Sequence, residues 1–160
     1  MIKLNLGCGT DIKKEFINID FRSLPGVNMI ADIENLDELF ADNTVDEINA
    51  YDVLEHFSFI KTTSVLRNWI KKLKPKGKII VRVPDLEKIL AQLVNYKLPI
   101  FEAQRLIYGG QDYEGNFHFA GFTQGLLEGL LLGCGCSEII QVIKEPDSHN
   151  VTVVALRWLP

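Results

Sequence analysis

The stretch Leu4-Asn5-Leu6-Gly7-Cys8-Gly9-Thr10 decides the fold of this chain. The apolar run over residues 2–6 is typical of a short buried strand, and the Gly-Cys-Gly sequence ends it. Glycines at such a point let the backbone adopt conformations that side chains disfavour, and they let a ligand approach closely. In open α/β sheets, ligands bind beyond the carboxyl ends of the strands. We therefore expect a ligand site where this first strand ends.

Further strands follow as short apolar runs bounded by Gly, Asp and Pro, a pattern typical of buried parallel strands. They are predicted over residues 16–20, 27–31, 45–50, 79–83, 138–143 and 151–156. Apolar residues at helical spacing predict helices that include residues 66–73, 86–94, 99–108 and 124–132. This alternation indicates an α/β fold with a Rossmann-like, doubly wound sheet of seven mostly parallel strands. The last two strands are joined by too few residues for a crossover and should form an antiparallel hairpin.

The connection between the first two strands is unusually short. Only residues 7–15 separate the two predicted strands, whereas a parallel crossover usually carries a full helix. Residues 10–14 can supply about one helical turn. We therefore predict a stunted first crossover helix.

Two carboxylates, Asp20 and Asp32, end the second and third predicted strands. Asp20 can accept hydrogen bonds from both hydroxyls of a ribose, and Asp32 can accept one from the exocyclic amine of an adenine. A nicotinamide-dinucleotide oxidoreductase is the rival interpretation, but its fingerprint requires a third glycine and a long helix to receive the pyrophosphate. The three residues after Gly9 contain no glycine. The pattern therefore favours a nucleoside ligand without phosphates.

The 4–10 stretch resembles the first motif of class I S-adenosylmethionine-dependent methyltransferases, and the match is closest to their short type-11-like group. The resemblance covers nearly the whole chain, and its further motifs are Ala31-Asp32-Ile33, Val53-Leu54-Glu55-His56, the LKPKGK sequence at 73–78 and the 108–122 segment. It implies strand order 3-2-1-4-5-7-6 with strand 7 antiparallel, and S-adenosyl-L-methionine as the methyl donor. Two positions depart from the family's pattern: Asn5 replaces a common acid, and Asp11 replaces a frequent third glycine.

The resemblance also implies which residues bind this cofactor. All of them lie at or just after the ends of the first four strands: Gly7, Cys8 and Gly9 along the methionine and ribose, Asp20 at the ribose hydroxyls, Asp32 and Ile33 at the adenine, and Asn49, Ala50 and Tyr51 at the methionine end. An aromatic ring such as that of Tyr51 can favour the cationic sulfonium. The alternative for Tyr51 is a core aromatic residue at a strand end.

A group of acids and an imidazole follows the fourth strand. Asp52, Glu55 and His56 are spaced to share one face of a helical turn. Similar Glu-x-x-Glu-His patterns bind a divalent metal in quinone-pathway O-methyltransferases and in small-RNA ribose methyltransferases. Here the first acid is the shorter Asp, and Leu-Glu-His is widespread in metal-free relatives. We therefore expect no metal, and the alternative ligand set is Asp52, Glu55, His56 and His118.

Residues 109–121 are rich in glycine and aromatic residues and lack periodicity, which predicts an ordered loop with possible glycine hinges. In this fold such an insertion can overlie the methyl donor, so we expect it to form the wall of the acceptor site. Tyr113 and His118 are the candidate catalytic residues, with His118 as the base that deprotonates an acceptor hydroxyl. The alternative is that His118 holds the loop together structurally.

The composition agrees with a globular enzyme. The chain has 160 residues, of which 47% are hydrophobic and 24% charged, and this suits a single S-adenosylmethionine-binding methyltransferase domain over residues 1–160. A net charge of −4 provides no global field for nucleic acid. The three cysteines fit a reducing compartment, and no apolar run is long enough for a membrane span. The N-terminus does not resemble a signal peptide, so the sequence predicts a cytoplasmic protein.

These features together predict a methyltransferase that uses S-adenosylmethionine. We expect it to act on a small-molecule or saccharide acceptor, at oxygen, without a membrane or nucleic-acid partner. The alternative is a non-catalytic S-adenosylmethionine-binding module that partners a larger enzyme.

Overall fold

The computed structural model describes residues 1–158, which form one seven-stranded sheet flanked by helices. The strands are β1 (Lys3–Leu6), β2 (Ile17–Asp20), β3 (Met29–Ile30), β4 (Val45–Tyr51), β5 (Leu73–Pro84), β6 (Cys136–Ile143) and β7 (Asn150–Arg157). The helices are α1 (Thr62–Lys72), α2 (Leu86–Val94), α3 (Ile100–Tyr108) and α4 (Gln124–Gly133), and a short 3-10 helix spans Leu54–His56. No helix within residues 1–158 is both long enough and apolar enough to cross a membrane.

The strands lie in the order β3-β2-β1-β4-β5-β7-β6. Neighbouring strands from β1 to β5 pair in parallel, whereas β7 runs antiparallel to both β5 and β6. The predicted fold class, strand order and terminal hairpin are therefore confirmed. Because five parallel strands point the same way, their carboxyl ends meet at one edge of the sheet.

The core lies between the sheet and the helices that cover it. Helix α1 buries Leu66, Trp69 and Ile70 at the spacing of one helical face. Trp69 is fully buried, and its Nε1 donates a hydrogen bond of 2.7 Å to the Ile33 carbonyl. The only polar atom of this side chain is thereby satisfied, so the indole contributes its whole apolar surface to the core.

Strand β5 begins earlier than the sequence predicts, because Leu73 already pairs with Val45. The next pair joins Lys78 with Glu47, so the Lys-Pro-Lys-Gly segment between the two pairs bulges out of the ladder. Lys76 in this bulge has a left-handed φ of 61°. The segment ends helix α1, as predicted, but the strand starts before it and continues after it.

Side-chain amides replace the crossover helix between β1 and β2. Residues 7–16 form turns where the sequence predicts about one helical turn. Asn18 is 3% exposed, and its Oδ1 accepts from Asn5 Nδ2 and from the Lys13 N–H, both at 2.9 Å. Its Nδ2 donates to the Lys13 carbonyl at 3.1 Å, and Asn5 Nδ2 donates to the Asp11 carbonyl at 2.7 Å. The two amides thus satisfy backbone groups that a helix would pair internally.

We expect Asn18→Ala to lower the free energy of unfolding by about 2–4 kcal/mol, because it leaves the Lys13 N–H and the Asn5 amide without their buried partner. Urea unfolding followed by circular dichroism measures this change. The matched control is Asn95→Ala, since Asn95 is exposed and makes one hydrogen bond to the Ala91 carbonyl. Equal losses in the two variants would show that the buried amide does not hold the crossover.

Candidate functional site

Two adjoining cavities lie at the carboxyl ends of the parallel strands. The larger cavity has a volume of about 550 Å³ and the smaller cavity about 330 Å³. Gly7, Arg22, Asp52 and Tyr113 line both of them. Each volume lies in the range typical of small-molecule sites, and their position matches the expectation from the glycine turn.

Asp20 ends β2 and forms part of the wall of the larger cavity. It is 2% exposed, and its Oδ2 accepts from the Gly9 N–H at 2.8 Å. Its Oδ1 accepts from the backbone N–H of Arg22 at 2.9 Å and from Arg22 Nε at 3.1 Å. Burial opposes ionisation, but the hydrogen bonds from Arg22 and Gly9 outweigh it and lower the pKa of the Asp20 carboxyl. Asp20 is therefore a charged acceptor at neutral pH.

Arg22 links the end of β2 to the 109–121 loop. Its guanidinium carbon lies 4.2 Å from the centre of the Tyr113 ring and 5.4 Å from that of Phe21. The same guanidinium donates to Asp20. The charged group is therefore held between a carboxylate and an aromatic face, where both interactions favour the cation.

The opposite wall of the larger cavity is apolar with an acidic rim. Ile33, Val53 and Phe57 supply the apolar surface. Asp32 is exposed, and its Oδ1 accepts from the Glu34 N–H at 2.8 Å. This wall offers an apolar surface beside a carboxylate, an arrangement that suits a heterocyclic base with an exocyclic amine.

The smaller cavity contains the glycine turn and a charged aromatic cluster. Cys8 and Gly9 line it together with Tyr51. Lys13 Nζ lies 4.4 Å and the Arg82 guanidinium carbon 4.6 Å from the centre of the Tyr51 ring. Two cations therefore contact the ring of Tyr51, the residue that the family resemblance puts beside the sulfonium.

Asn49 and Ala50 lie deeper than the resemblance implies. Both residues are buried, and neither lines the larger or the smaller cavity. Within residues 1–158, Asn49 Oδ1 has no hydrogen-bond partner. Asp52, the residue after Tyr51, lines both cavities in their place.

Asp52 pairs with Arg82, not with the residues that follow it in the sequence. Arg82 Nε donates to Asp52 Oδ1 at 3.1 Å, and Arg82 Nη2 contacts the other oxygen. Asn150 Nδ2 donates to the same Oδ1 at 3.0 Å. The spacing argument that joined Asp52 to Glu55 and His56 on one helical face is wrong, because Asp52 has a φ of 52° and precedes the 3-10 helix.

Glu55, His56 and His118 come together, and their candidate ligand atoms all lie within 4.8 Å of one another. The two imidazole rings have centroids 4.8 Å apart and are nearly perpendicular. Burial and the charge of Asp52 raise the pKa of the Glu55 carboxyl well above its ordinary value. Burial also lowers the pKa of both imidazoles. His56 lines the larger cavity, and His118 lines a separate apolar pocket of about 240 Å³.

Backbone hydrogen bonds hold the 109–121 loop against the 3-10 helix. The Glu55 carbonyl accepts from the Phe119 N–H at 2.8 Å and from the Ala120 N–H at 3.2 Å. The Tyr108 carbonyl accepts from the His118 N–H at 3.1 Å. The loop is therefore ordered by main-chain contacts at its C-terminal half, while residues 113–115 reach the larger cavity.

Sequence comparison identifies one family. The family model described as a methyltransferase domain matches residues 4–81, which extend from β1 through most of β5. No curated protein matches the chain significantly.

Solved structures with the same fold include several methyltransferases. A Methanosarcina mazei S-adenosylmethionine-dependent methyltransferase is 18% identical, with 99% of this chain and 92% of that chain covered and a TM-score of 0.69. The Burkholderia thailandensis 1,6-didemethyltoxoflavin-N1-methyltransferase was solved with S-adenosylhomocysteine and is 13% identical. The match covers 99% of this chain and 71% of that chain, with a TM-score of 0.63. The CurJ carbon methyltransferase is 15% identical, and the match covers 99% of this chain and 49% of that chain, with a TM-score of 0.67. At these identities the likeness establishes the fold.

The strand order and the cavities at the carboxyl ends of β1, β2 and β4 define a Rossmann-like, nucleoside-binding class of α/β protein. The methyltransferase-domain model covers residues 4–81, and the chain shares the fold of class I S-adenosylmethionine-dependent methyltransferases. It is thus an enzyme whose methyl donor is S-adenosylmethionine.

The residues present fit this cofactor. An ionised, almost fully buried carboxylate faces the larger cavity at Asp20, and each carboxylate oxygen can accept more than one hydrogen bond. The apolar wall with Ile33 and the rim carboxylate of Asp32 suit the base. No helix begins within residues 7–16, so the glycine turn offers no helix N-terminus to a phosphate.

Phe21, Arg22 and Arg82 are among the cavity-lining residues that sequence reasoning missed. A signal for Arg82 was present, since it lies near the end of β5 and the strand ends share one edge. Phe21 and Arg22 follow Asp20 directly, but sequence alone does not show which of them turns towards the loop.

We expect Gly7→Ala to destabilise the protein by about 2 kcal/mol or more, and clearly more than Gly9→Ala. Both glycines have positive φ, at 60° and 50°, so both variants share the backbone cost. A Cβ at position 7 would lie 2.3 Å from Val53 Cγ2, whereas one at position 9 would meet only Arg22, at 3.4 Å. Thermal unfolding of the two variants measures the difference, and equal costs would contradict the close packing of Gly7 on Val53.

Proposed function

We propose that the enzyme transfers the methyl group of S-adenosylmethionine to a hydroxyl oxygen of a small-molecule or saccharide acceptor bound beneath the 109–121 loop. One observation carries the proposal. The loop lines the larger cavity through Tyr113, Glu114 and Gly115, and it lines the apolar pocket through His118 and Phe119. A single loop therefore separates the space that suits the cofactor from a second space that suits another molecule.

In this proposal the adenosine part of the cofactor occupies the larger cavity. Asp20 accepts hydrogen bonds from the two ribose hydroxyls, which replace the contacts of the Arg22 guanidinium at 3.1 and 3.5 Å. Asp32 and Ile33 contact the adenine. The methionine part extends along Gly7, Cys8 and Gly9 into the smaller cavity, towards Tyr51 and the buried ends of Asn49 and Ala50.

The acceptor occupies the apolar pocket of about 240 Å³. Leu86, Tyr108 and Phe119 line it, so it offers apolar and aromatic surface to a ring. A pocket of this volume suits a molecule about the size of one sugar ring and does not suit a folded polypeptide. This observation supports a small molecule or a saccharide unit as the acceptor.

The sulfonium of the cofactor supplies an electrophilic methyl group. The acceptor oxygen attacks that carbon in line, the new O–C bond forms while the S–C bond breaks, and the sulfur keeps the electron pair. A hydroxyl must also lose its proton, and His118 is the loop residue placed to take it. The Leu106 carbonyl contacts His118 Nδ1 at 3.0 Å, so Nε2 is the nitrogen left for the acceptor. Alignment of the two reactants is the main contribution of the protein.

We expect Asp20→Ala to weaken the binding of S-adenosylhomocysteine by about 1–3 kcal/mol, because charge-assisted hydrogen bonds to the ribose are lost. Titration calorimetry measures this change, with Asp147→Ala, an exposed residue of the terminal turn, as the control. Nicotinamide dinucleotides should bind much more weakly than S-adenosylhomocysteine. Unchanged affinity in Asp20→Ala would remove this residue from the cofactor site.

We expect His118→Ala to lower turnover about 100-fold and Tyr113→Phe to lower it about two- to tenfold, while cofactor affinity stays within about twofold. The reason is that both groups act on the acceptor and not on the cofactor. Turnover is measured with labelled S-adenosylmethionine on a panel of sugars and small phenols. Tyr96→Phe is the control for Tyr113→Phe, because Tyr96 is 97% exposed. Cofactor binding without turnover of any panel member would favour a non-catalytic binding module.

A further inference from the structure

We propose that Glu55, His56 and His118 form a binding site for a divalent transition-metal ion, placed in the wall between the larger cavity and the apolar pocket. The three residues form the one group of this kind found within residues 1–158. The site lies between the spaces proposed for cofactor and acceptor, and only its role in catalysis rests on the proposed function.

Both imidazoles are oriented as metal-binding imidazoles usually are. The Phe117 carbonyl lies 2.9 Å from His56 Nδ1, and the Leu106 carbonyl lies 3.0 Å from His118 Nδ1. A carbonyl can only accept, so each Nδ1 carries the proton and each Nε2 carries a lone pair. A backbone carbonyl on one ring nitrogen is the usual second partner of a histidine that binds a metal through the other.

The carboxylate of the group lacks a partner. Glu55 is 1% exposed, and within residues 1–158 neither of its side-chain oxygens has a hydrogen-bond partner. A buried carboxylate without a partner is costly, and it is found where it is paired or where it coordinates a metal. Arg82, whose positive charge acts on Glu55, is already paired with Asp52. A bound cation would satisfy Glu55 without any rearrangement of that pair.

The ligand set differs from the one considered from sequence. The expectation of a metal-free site had two grounds, the short side chain of Asp52 as a first ligand and the occurrence of Leu-Glu-His in metal-free relatives. In the structure Asp52 is held by Arg82 and Asn150 and is not part of the group. The remaining carboxylate and two imidazoles are complete as a three-ligand set, so the length of the Asp52 side chain no longer argues against a metal.

The donor atoms indicate which metals fit. Two imidazole nitrogens and one carboxylate oxygen suit Mn²⁺, Fe²⁺, Co²⁺ or Zn²⁺, whereas Mg²⁺ and Ca²⁺ prefer oxygen ligands alone. Ligands bound at about 2.1 Å in a tetrahedral site lie about 3.4 Å apart. The ligand atoms here lie within 4.8 Å of one another, so shifts of about 1 Å in the side-chain atoms would bring them to bonding distance of one ion. Three protein ligands leave at least one position open for an oxygen of the acceptor.

The location gives the metal a chemical purpose. A divalent ion supplies charge that lowers the pKa of a bound hydroxyl. His118 would then act on the acceptor as a ligand and not as a free base, and the hydroxyl proton would pass to solvent. His56 on the larger-cavity side and His118 on the pocket side would hold the ion within the wall between the two spaces.

The test is metal binding by the full chain, carrying no affinity tag, after treatment with EDTA and dialysis. Co²⁺ is titrated while visible absorption is recorded, and Zn²⁺ and Mn²⁺ are titrated by calorimetry. We expect about one equivalent of Co²⁺ to bind with d–d absorption bands. His118→Ala and Glu55→Gln should each weaken this binding at least about tenfold, because each removes one of three ligands.

Two control variants sharpen the test. His149→Ala removes a histidine of the terminal hairpin, whose ring contacts the side chain of Gln92, and this variant should bind the metal like the wild type. Asp52→Asn removes a nearby negative charge but no ligand, so it should weaken metal binding less than about tenfold, and Asn tolerates the positive φ at this position. Circular dichroism verifies the fold of each variant, and His118→Gln replaces His118→Ala if the latter does not fold.

Three results would overturn the proposal: no saturable metal binding by the wild type, wild-type binding in both His118→Ala and Glu55→Gln, or loss of binding in Asp52→Asn. S-adenosylhomocysteine binding to the same wild-type sample is measured in parallel. Metal binding without cofactor binding would contradict the proposed function and leave the metal site intact. Cofactor binding and turnover without saturable metal binding would contradict the metal site and leave the proposed function intact.

Discussion

The short connection between β1 and β2 is the constraint on which the site depends. A parallel pair usually leaves room for a helix, and here residues 7–16 return across the sheet without one. Buried amides of Asn5 and Asn18 take up the backbone groups of this connection. Because the connection stays close to the strand ends, the Gly9 N–H reaches Asp20 at 2.8 Å. Two core asparagines therefore bring the glycine turn and the carboxylate of Asp20 together.

The end of β4 organises the other half of the site. Asp52 has a left-handed φ and pairs with Arg82, so the chain turns sharply into the 3-10 helix. That helix directs the Glu55 side chain into the protein and its carbonyl towards the Phe119 N–H. One short segment thus fixes both the buried carboxylate and the position of the 109–121 loop.

Much of the fold could be predicted from the sequence, because strands with short apolar runs and amphipathic helices carry local signals. The positions of the glycine turn and of Asp20 could be predicted for the same reason, since the turn follows β1 and Asp20 ends β2. The pairing of Asp52 with Arg82 was not, because these residues are distant in sequence and the helical spacing of Asp52 and Glu55 suggested a false neighbour. The early start of β5 also depends on a bulge that only pairing with β4 reveals.

The loop and the histidine pair are physically coupled. His56 Nδ1 contacts the Phe117 carbonyl, and His118 is itself a loop residue. Opening of the loop would therefore break the hydrogen bond that orients His56 and would move His118 away from it. Access to the larger cavity, where Tyr113 meets Arg22, would change in the same motion. A closed loop is thus required to bring the two imidazoles together, and it also keeps Tyr113 against Arg22 at the larger cavity.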